Sequence, residues 1–115
     1  MTTAGPASAT RVAASTSPRI DRGFDTDLAI AFMKAAAHPQ RLSILRHLAS
    51  GEKSVGMLEL LLQKRQAAVS QQLARLRQEG LVVNRRDGKA IHYSLATPQV
   101  EHFVRCMQEA FRRQP

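Results

Sequence analysis

QAAVSQQLARLRQEGLVVNRRDGKAIHYSL, residues 66–95, changes its hydrophobic period halfway along, and that change decides the fold. In the first half Val69, Leu73 and Leu76 recur at i, i+4 and i+7, one apolar stripe on a helix from Gln66 to about Glu79 that Gly80 ends. In the second half Leu81 to Arg85 and Ala90 to Leu95 are short runs carrying Val82, Val83, Ile91 and Tyr93. Between them Arg86-Asp87-Gly88-Lys89 contains Asp-Gly, a strong hairpin signal. Arg85, Arg86 and Lys89 crowd the tip of that hairpin, which reads as a basic wing.

Upstream, Ser54 is placed to cap a helix over Val55, Leu58, Leu61 and Leu62, and a polar break at Gln63-Lys64-Arg65 separates it from the helix at Gln66. Two short helices joined by a tight turn form a helix-turn-helix unit. His38-Pro39 opens an earlier helix bearing Leu42, Ile44, Leu45 and Leu48, which ends at Ser50-Gly51. Before it, Asp25 or Asp27 caps a first helix with Leu28, Ala31, Phe32 and Ala35 at helical spacing. Downstream, Thr97-Pro98 starts a last helix whose apolar face is Val100, Phe103, Val104, Met107 and Phe111. That is more apolar surface than a terminal helix leaves in water. The sequence therefore predicts a homodimer joined through its first and last helices, at Leu28, Phe32, Val100, Phe103, Val104, Met107 and Phe111. The expected class is mainly α with a β-hairpin wing: a winged helix-turn-helix of about five helices, in one domain over residues 23–115. Residues 1–22, rich in Ala, Ser, Thr and Pro, read as a flexible tail.

Charge narrows the partner. Seventeen Lys and Arg against nine Asp and Glu give a net charge of +8, which favours a polyanion. No apolar stretch is long enough for a spanning helix and no signal-peptide core is present, so a cytoplasmic protein without a membrane partner is expected. The glycines fit turns rather than phosphate loops, and no nucleophile–base set or carboxylate pair has useful spacing, so no enzyme and no cofactor is expected.

The predicted reading helix turns Gln66, Ala67, Ser70, Gln71, Ala74, Arg75 and Gln78 outward. Small residues admit the helix to a major groove, Gln offers paired donor and acceptor groups to adenine, and Ser serves base edges or phosphate. Gln66, Ala67, Ser70 and Gln71 occupy the N-terminal half, the end that such helices push into the groove. Lys64, Arg65, Arg75, Arg85, Arg86 and Lys89 are the phosphate candidates, with Arg77 leaning away. The bland alternative is a solvated polar face, and a winged helix serving protein assembly alone is a second alternative.

Ser54 to Leu95 closely resembles the ArsR/SmtB family of bacterial metal- and redox-responsive repressors. The likeness lies in Ser54-Val55-Gly56, AVSQQLARLRQEGLV and RRDGKAIHYSL, with HPQRLSILRHL resembling the family's second helix. The resemblance implies a homodimer on an imperfect inverted repeat of double-stranded operator DNA, released by a ligand or oxidant. It adds Gln72 to the DNA-facing set, at a position where His is common. Lys64-Arg65 stand where an apolar residue and Ser are usual, which adds charge at the turn and weakens the cap.

The sensory half departs from the family. Val55 to Leu62 holds no Cys-x-Cys pair, and the positions of the family's zinc ligands across the last helices correspond to Thr97, Gln99, Ala110 and Arg113. No metal site is expected, since His92 and His102 do not make a ligand set. The wording is nearest to the persulfide- and oxidant-responsive branch, yet its two cysteine positions correspond to Arg46 and the neighbourhood of Arg112. Cys106, the single cysteine, has two readings: a packed small hydrophobe beside Phe103 and Met107, or a thiol open to redox modification. A constitutive or partner-controlled DNA binder, without a sensor of its own, stands beside the ligand-released repressor.

Overall fold

The computed structural model describes residues 23–114; the expected tail at residues 1–22 and Pro115 lie outside them. The elements run α1 (Thr26–Ala36), α2 (Pro39–Ala49), β1 (Lys53–Ser54), α3 (Val55–Leu62), α4 (Gln66–Gln78), β2 (Val82–Asp87), β3 (Ala90–Leu95) and α5 (Pro98–Ala110). Contacts divide the chain after Ile30, within α1, into one unit up to Ile30 and a second from Ala31 onward. At that first end Asp25 is the cap: its Oδ1 accepts the Leu28 N–H at 2.9 Å.

Most helix boundaries follow the local chemistry read above. Ser54 Oγ accepts the Met57 N–H at 3.0 Å and Thr97 Oγ1 the Val100 N–H at 3.2 Å, each satisfying an orphan donor of a first turn. Gly80, at φ 79°, closes α4 with two bonds, Leu81 N–H to the Leu76 carbonyl at 3.0 Å and Gly80 N–H to the Arg77 carbonyl at 2.9 Å. That 6→1 and 5→2 pair is a Schellman stop, which needs a left-handed residue where Gly80 stands. The α2 cap is a surprise: the His38 ring accepts through Nδ1 from the N–H groups of Gln40 and Arg41, at 3.2 and 3.5 Å. A ring nitrogen in this role must be unprotonated, so the cap uses neutral His38.

The helices enclose one core. Ile44, Leu45 and Leu48 of α2, Leu58 of α3, Val69, Leu73 and Leu76 of α4, and Val100 and Val104 of α5 are buried with Leu81, Val82 and Tyr93. α2 lies at the centre, packed on α3, α4, α5 and β3. The apolar stripe that predicted α4 is the face it buries.

The wing is longer and better anchored than the sequence suggested. β2 and β3 pair antiparallel from Val82↔Leu95 to Asp87↔Ala90, so Arg86 and Asp87 extend the ladder and only Gly88-Lys89 make the turn. Gly88 takes φ 64°, and it is Gly first rather than Asp-Gly central that shapes this two-residue turn. A third strand was not expected: β1 pairs with β3 at Lys53↔Tyr93 and Ser54↔His92, giving the order β1-β3-β2. Two residues carry no readable period, so β1 is visible only through its partner.

The apolar face of α5 is divided. Val100 and Val104 are buried inside the protomer, and Phe32 is 4% exposed with its ring centroid 4.5 Å from that of Phe103. These three are expected at a dimer interface, and within the protomer α1 and α5 use them to close their own core. Phe103 and Phe111 remain 44% and 82% exposed, and Met107 is half-buried.

Candidate nucleic-acid interface

α3 and α4 are joined by Gln63, Lys64 and Arg65, with Gln63 in the left-handed region at φ 55°. The turn reverses the chain tightly enough to pack the two helices together. Arg65 precedes α4 in extended backbone and makes no side-chain capping bond, so the Ser-to-Arg departure does leave this helix start uncapped by its own N-cap residue. Lys64 and Arg65 are exposed there, beside N–H groups that suit an anion.

Burial on one face of α4 sets what the other presents. With Val69, Leu73 and Leu76 inward, Gln66, Ala67, Ser70, Gln71, Ala74, Arg75 and Gln78 are all exposed. Arg77 is exposed as well. Arg75 is held along the helix by Glu79, Nε to Oε2 at 3.3 Å, a screened surface pair that water and salt readily exchange. Gln72 is placed differently from its neighbours. It is half-buried, and its Oε1 accepts from Arg41 Nη1 at 3.0 Å while Arg41 Nε donates to the Ala35 carbonyl at 2.7 Å. Gln72 therefore ties α4 to α2 and the end of α1, where Arg41 was the partner no local pattern announced.

The wing stands beside this helix. Gln66 at the start of α4 and Lys89 at the hairpin tip line one groove of about 340 Å³, together with Ser54, Gly56 and Glu59. Arg86 and Lys89 are exposed and enter no ion pair among the described residues. Arg85 is occupied: its Nε and Nη2 donate to the two carboxylate oxygens of Glu52, at 2.9 and 2.8 Å. Glu52, between α2 and β1, was missed by the sequence reading because 33 residues separate it from Arg85.

The hydrogen bond from Arg85 holds the Glu52 carboxyl below its ordinary pKa, and the same pair holds Arg85 above its own. A depressed carboxylate keeps its partner above the unfolded pKa and releases it only as pH falls through the lowered folded value. The Glu52 carboxylate is therefore ionised, and able to hold Arg85, across the neutral range. Glu52→Gln is expected to free Arg85 for phosphate, raising affinity for random duplex and steepening the salt dependence by about 0.9 per protomer. Electrophoretic titration across a salt series measures this; an unchanged slope would show that Glu52 does not withhold Arg85.

The sensory positions hold no group of three or more His, Cys, Asp or Glu near enough to bind a metal, among the described residues. Cys106 is exposed within the protomer. Its Sγ lies 3.5 Å from His102 Nε2, one helical turn back. Arg105 is engaged elsewhere, with the Ala49 carbonyl at 3.2 Å and Glu101 at 3.3 Å, so imidazole rather than guanidinium is the neighbour of the thiol.

A helix-turn-helix backed by a three-stranded winged sheet defines a winged helix-turn-helix protein. The model of the arsR family of bacterial regulatory proteins matches residues 38–83, which span α2 through the start of β2. The biofilm growth-associated repressor of Agrobacterium fabrum is 43% identical over 86 residues, covering 75% of this chain and 73% of that protein. The transcriptional activator HlyU of Vibrio cholerae is 36% identical over 83 residues, covering 72% and 77%. The crystal structure of the transcriptional repressor BigR from Xylella fastidiosa superposes with a TM-score of 0.74 at 34% identity, covering 85% of this chain and all of that one. The chain belongs to the arsR family. It is a DNA-binding transcriptional regulator with a single cysteine, from a family of regulators rather than enzymes. No helix among the described residues is long and apolar enough to cross a membrane.

Proposed function

We propose that the chain is an operator-binding repressor that grips an imperfect inverted repeat as a homodimer and leaves it on a small-molecule or redox signal. The observation that carries this reading is the exposed N-terminal half of α4, Gln66, Ala67, Ser70 and Gln71, beside a groove it shares with Lys89 of the wing. In the bound state α4 enters the major groove, where Ser70 and Gln71 read base edges and Gln66 and Ala67 set the depth of approach. Lys64, Arg65, Arg75, Arg86 and Lys89 hold phosphates on either side, Gln78 reaches the groove wall, and Gln72 keeps α4 seated on α2.

Dimerisation supplies the symmetry that an inverted repeat requires. Phe103, Met107 and Phe111 of α5 offer the apolar area and Phe32, Val100 and Val104 form the packed layer behind them; Leu28 is the further α1 residue proposed to meet the second copy. Two relatives named repressors and one named an activator belong to the comparison, so the direction of control is read with a reporter gene.

Ser70→Ala with Gln71→Ala tests the base reading. A good bidentate base contact contributes about 1–3 kcal/mol of discrimination, so specific affinity is expected to fall tenfold or more while random duplex is bound nearly as before. Titrations use a site recovered by genome-wide footprinting. An equal loss on every duplex would mean that these side chains do not read bases.

A further inference from the structure

We infer that Arg41 is a positioning residue that sets the separation of the two reading helices, and with it the half-site spacing the chain accepts. The inference rests on the reading of the chain as a homodimer on an inverted repeat, and assigns the spacing preference of that reader to one side chain. An orphan carbonyl fixes Arg41 first. Ala35 is fully buried in the last turn of α1, where a helix has no further N–H to offer its carbonyls. Arg41 Nε, reaching back from the first turn of α2, donates to that oxygen at 2.7 Å. The guanidinium is planar, so a bond made by Nε also sets the direction of the terminal nitrogens. Nη1 then donates to Gln72 Oε1 at 3.0 Å, halfway along α4.

Among the described residues this is the one side-chain hydrogen bond from α4 to another element, since Arg75 bonds only to Glu79 at the end of its own helix. The rest of the seat is apolar, at Val69, Leu73 and Leu76. Apolar burial is non-directional and holds the helix down, whereas a hydrogen bond weakens steeply when its angle changes and so resists roll and slide. The helix that carries Arg41, α2, also packs on α5. In the proposed homodimer α5 meets its mate, so the path from the dimer axis to each reading helix crosses α2 and this bond. The two-fold axis doubles any shift of α4, because a displacement in one protomer recurs in the other. An operator senses the sum: one more base pair between half-sites adds about 3.4 Å of axis and turns one half-site away from its reader.

Spin labels at Gln71→Cys, in a Cys106→Ser background, read the distance between the two α4 helices of the full chain without DNA. The parent is expected to give one narrow distribution. Arg41→Lys keeps the charge but not the fork, and Gln72→Met removes the acceptor. Each is expected to broaden the distribution about twofold, as further seats of α4 become populated. Gln72→Glu keeps an acceptor for Arg41 and is expected to keep the narrow form. Leu73→Ala separates positioning from stability, because it opens a cavity under α4 and leaves the bond in place; it too is expected to stay narrow. In parallel, unlabelled chains are titrated against the footprinted operator and a version with one central base pair inserted. The insertion is expected to cost the parent about tenfold or more in affinity, and the Arg41→Lys and Gln72→Met chains less than about threefold. Unchanged distributions in those two variants overturn the proposal, as does equal broadening by Gln72→Glu or Leu73→Ala, which would mark general loosening. An insertion penalty undiminished in both variants overturns it as well. A parent without dipolar coupling is a different failure: it refutes the homodimer, and the proposal falls with it.

Discussion

Arg86→Gln combined with Lys89→Gln is expected to lower affinity for every duplex, specific or random, by about three orders of magnitude at physiological salt. Both side chains are exposed at the hairpin tip and outside every ion pair of the described residues, unlike Arg85, which Glu52 holds by two bonds. Each phosphate contact releases condensed counterions and contributes about 0.9 to the slope of log affinity against log salt. In the proposed homodimer two contacts from each protomer make four, so the slope is expected to fall by roughly 3.6. The same measurement reports stoichiometry, because a lone protomer on DNA would lose only about half as much. Selectivity between operator and random duplex should hardly move, since phosphate contacts position without specifying. A salt slope unchanged by the double substitution would remove the wing from the phosphate backbone.

Leu73→Ala is expected to cost about 2–5 kcal/mol of unfolding free energy, a large part of the roughly 5–15 kcal/mol that holds a domain of this size together. Leu73 is fully buried on the inner face of α4, the helix that packs on α2, α3 and β2. Removing three carbons there forfeits both transfer free energy and the contacts around the cavity, which fixed helices relieve poorly. Ala74→Ser, one residue on but exposed, is the control and should stay within about 0.5 kcal/mol. Urea unfolding at constant protomer concentration measures both, because association feeds into apparent stability. At temperatures where the variant stays folded, α4 still presents Ser70 and Gln71, so operator selectivity should persist. A loss below 1 kcal/mol would show that the core beneath the reading helix is loosely packed.

The two experiments separate the inner and outer faces of one helix, and that helix was the most legible part of the chain. Val69, Leu73 and Leu76 repeat at a period that only a helix can bury on one side, so the outward residues follow by geometry. Ser54, Thr97 and Gly80 were equally plain, because a cap or a left-handed stop is decided within four residues. The hairpin was legible to within two residues, its turn moving to Gly88-Lys89 because ladder bonds favoured keeping Arg86 and Asp87 in β2. The His38 cap was local as well, and was missed because a ring nitrogen is an uncommon stand-in for a hydroxyl or carboxylate.

What escaped the sequence was contact between distant residues. Glu52 with Arg85, Arg41 with Gln72 and Arg46 with Gln108 lie 33, 31 and 62 residues apart. The same holds for β1, for the partition of α5 between a buried layer at Val100 and Val104 and an exposed one at Phe103 and Phe111, and for the open position of Cys106. By itself the sequence determined the helices, the wing and the outward face of α4, since periodicity and capping depend on near neighbours. Only the tertiary structure decided which of those charges stay available: it commits Arg85 to Glu52 and Gln72 to Arg41, and leaves Arg86 and Lys89 open. Packing chooses side-chain partners across the fold, and a one-dimensional pattern carries no record of that choice.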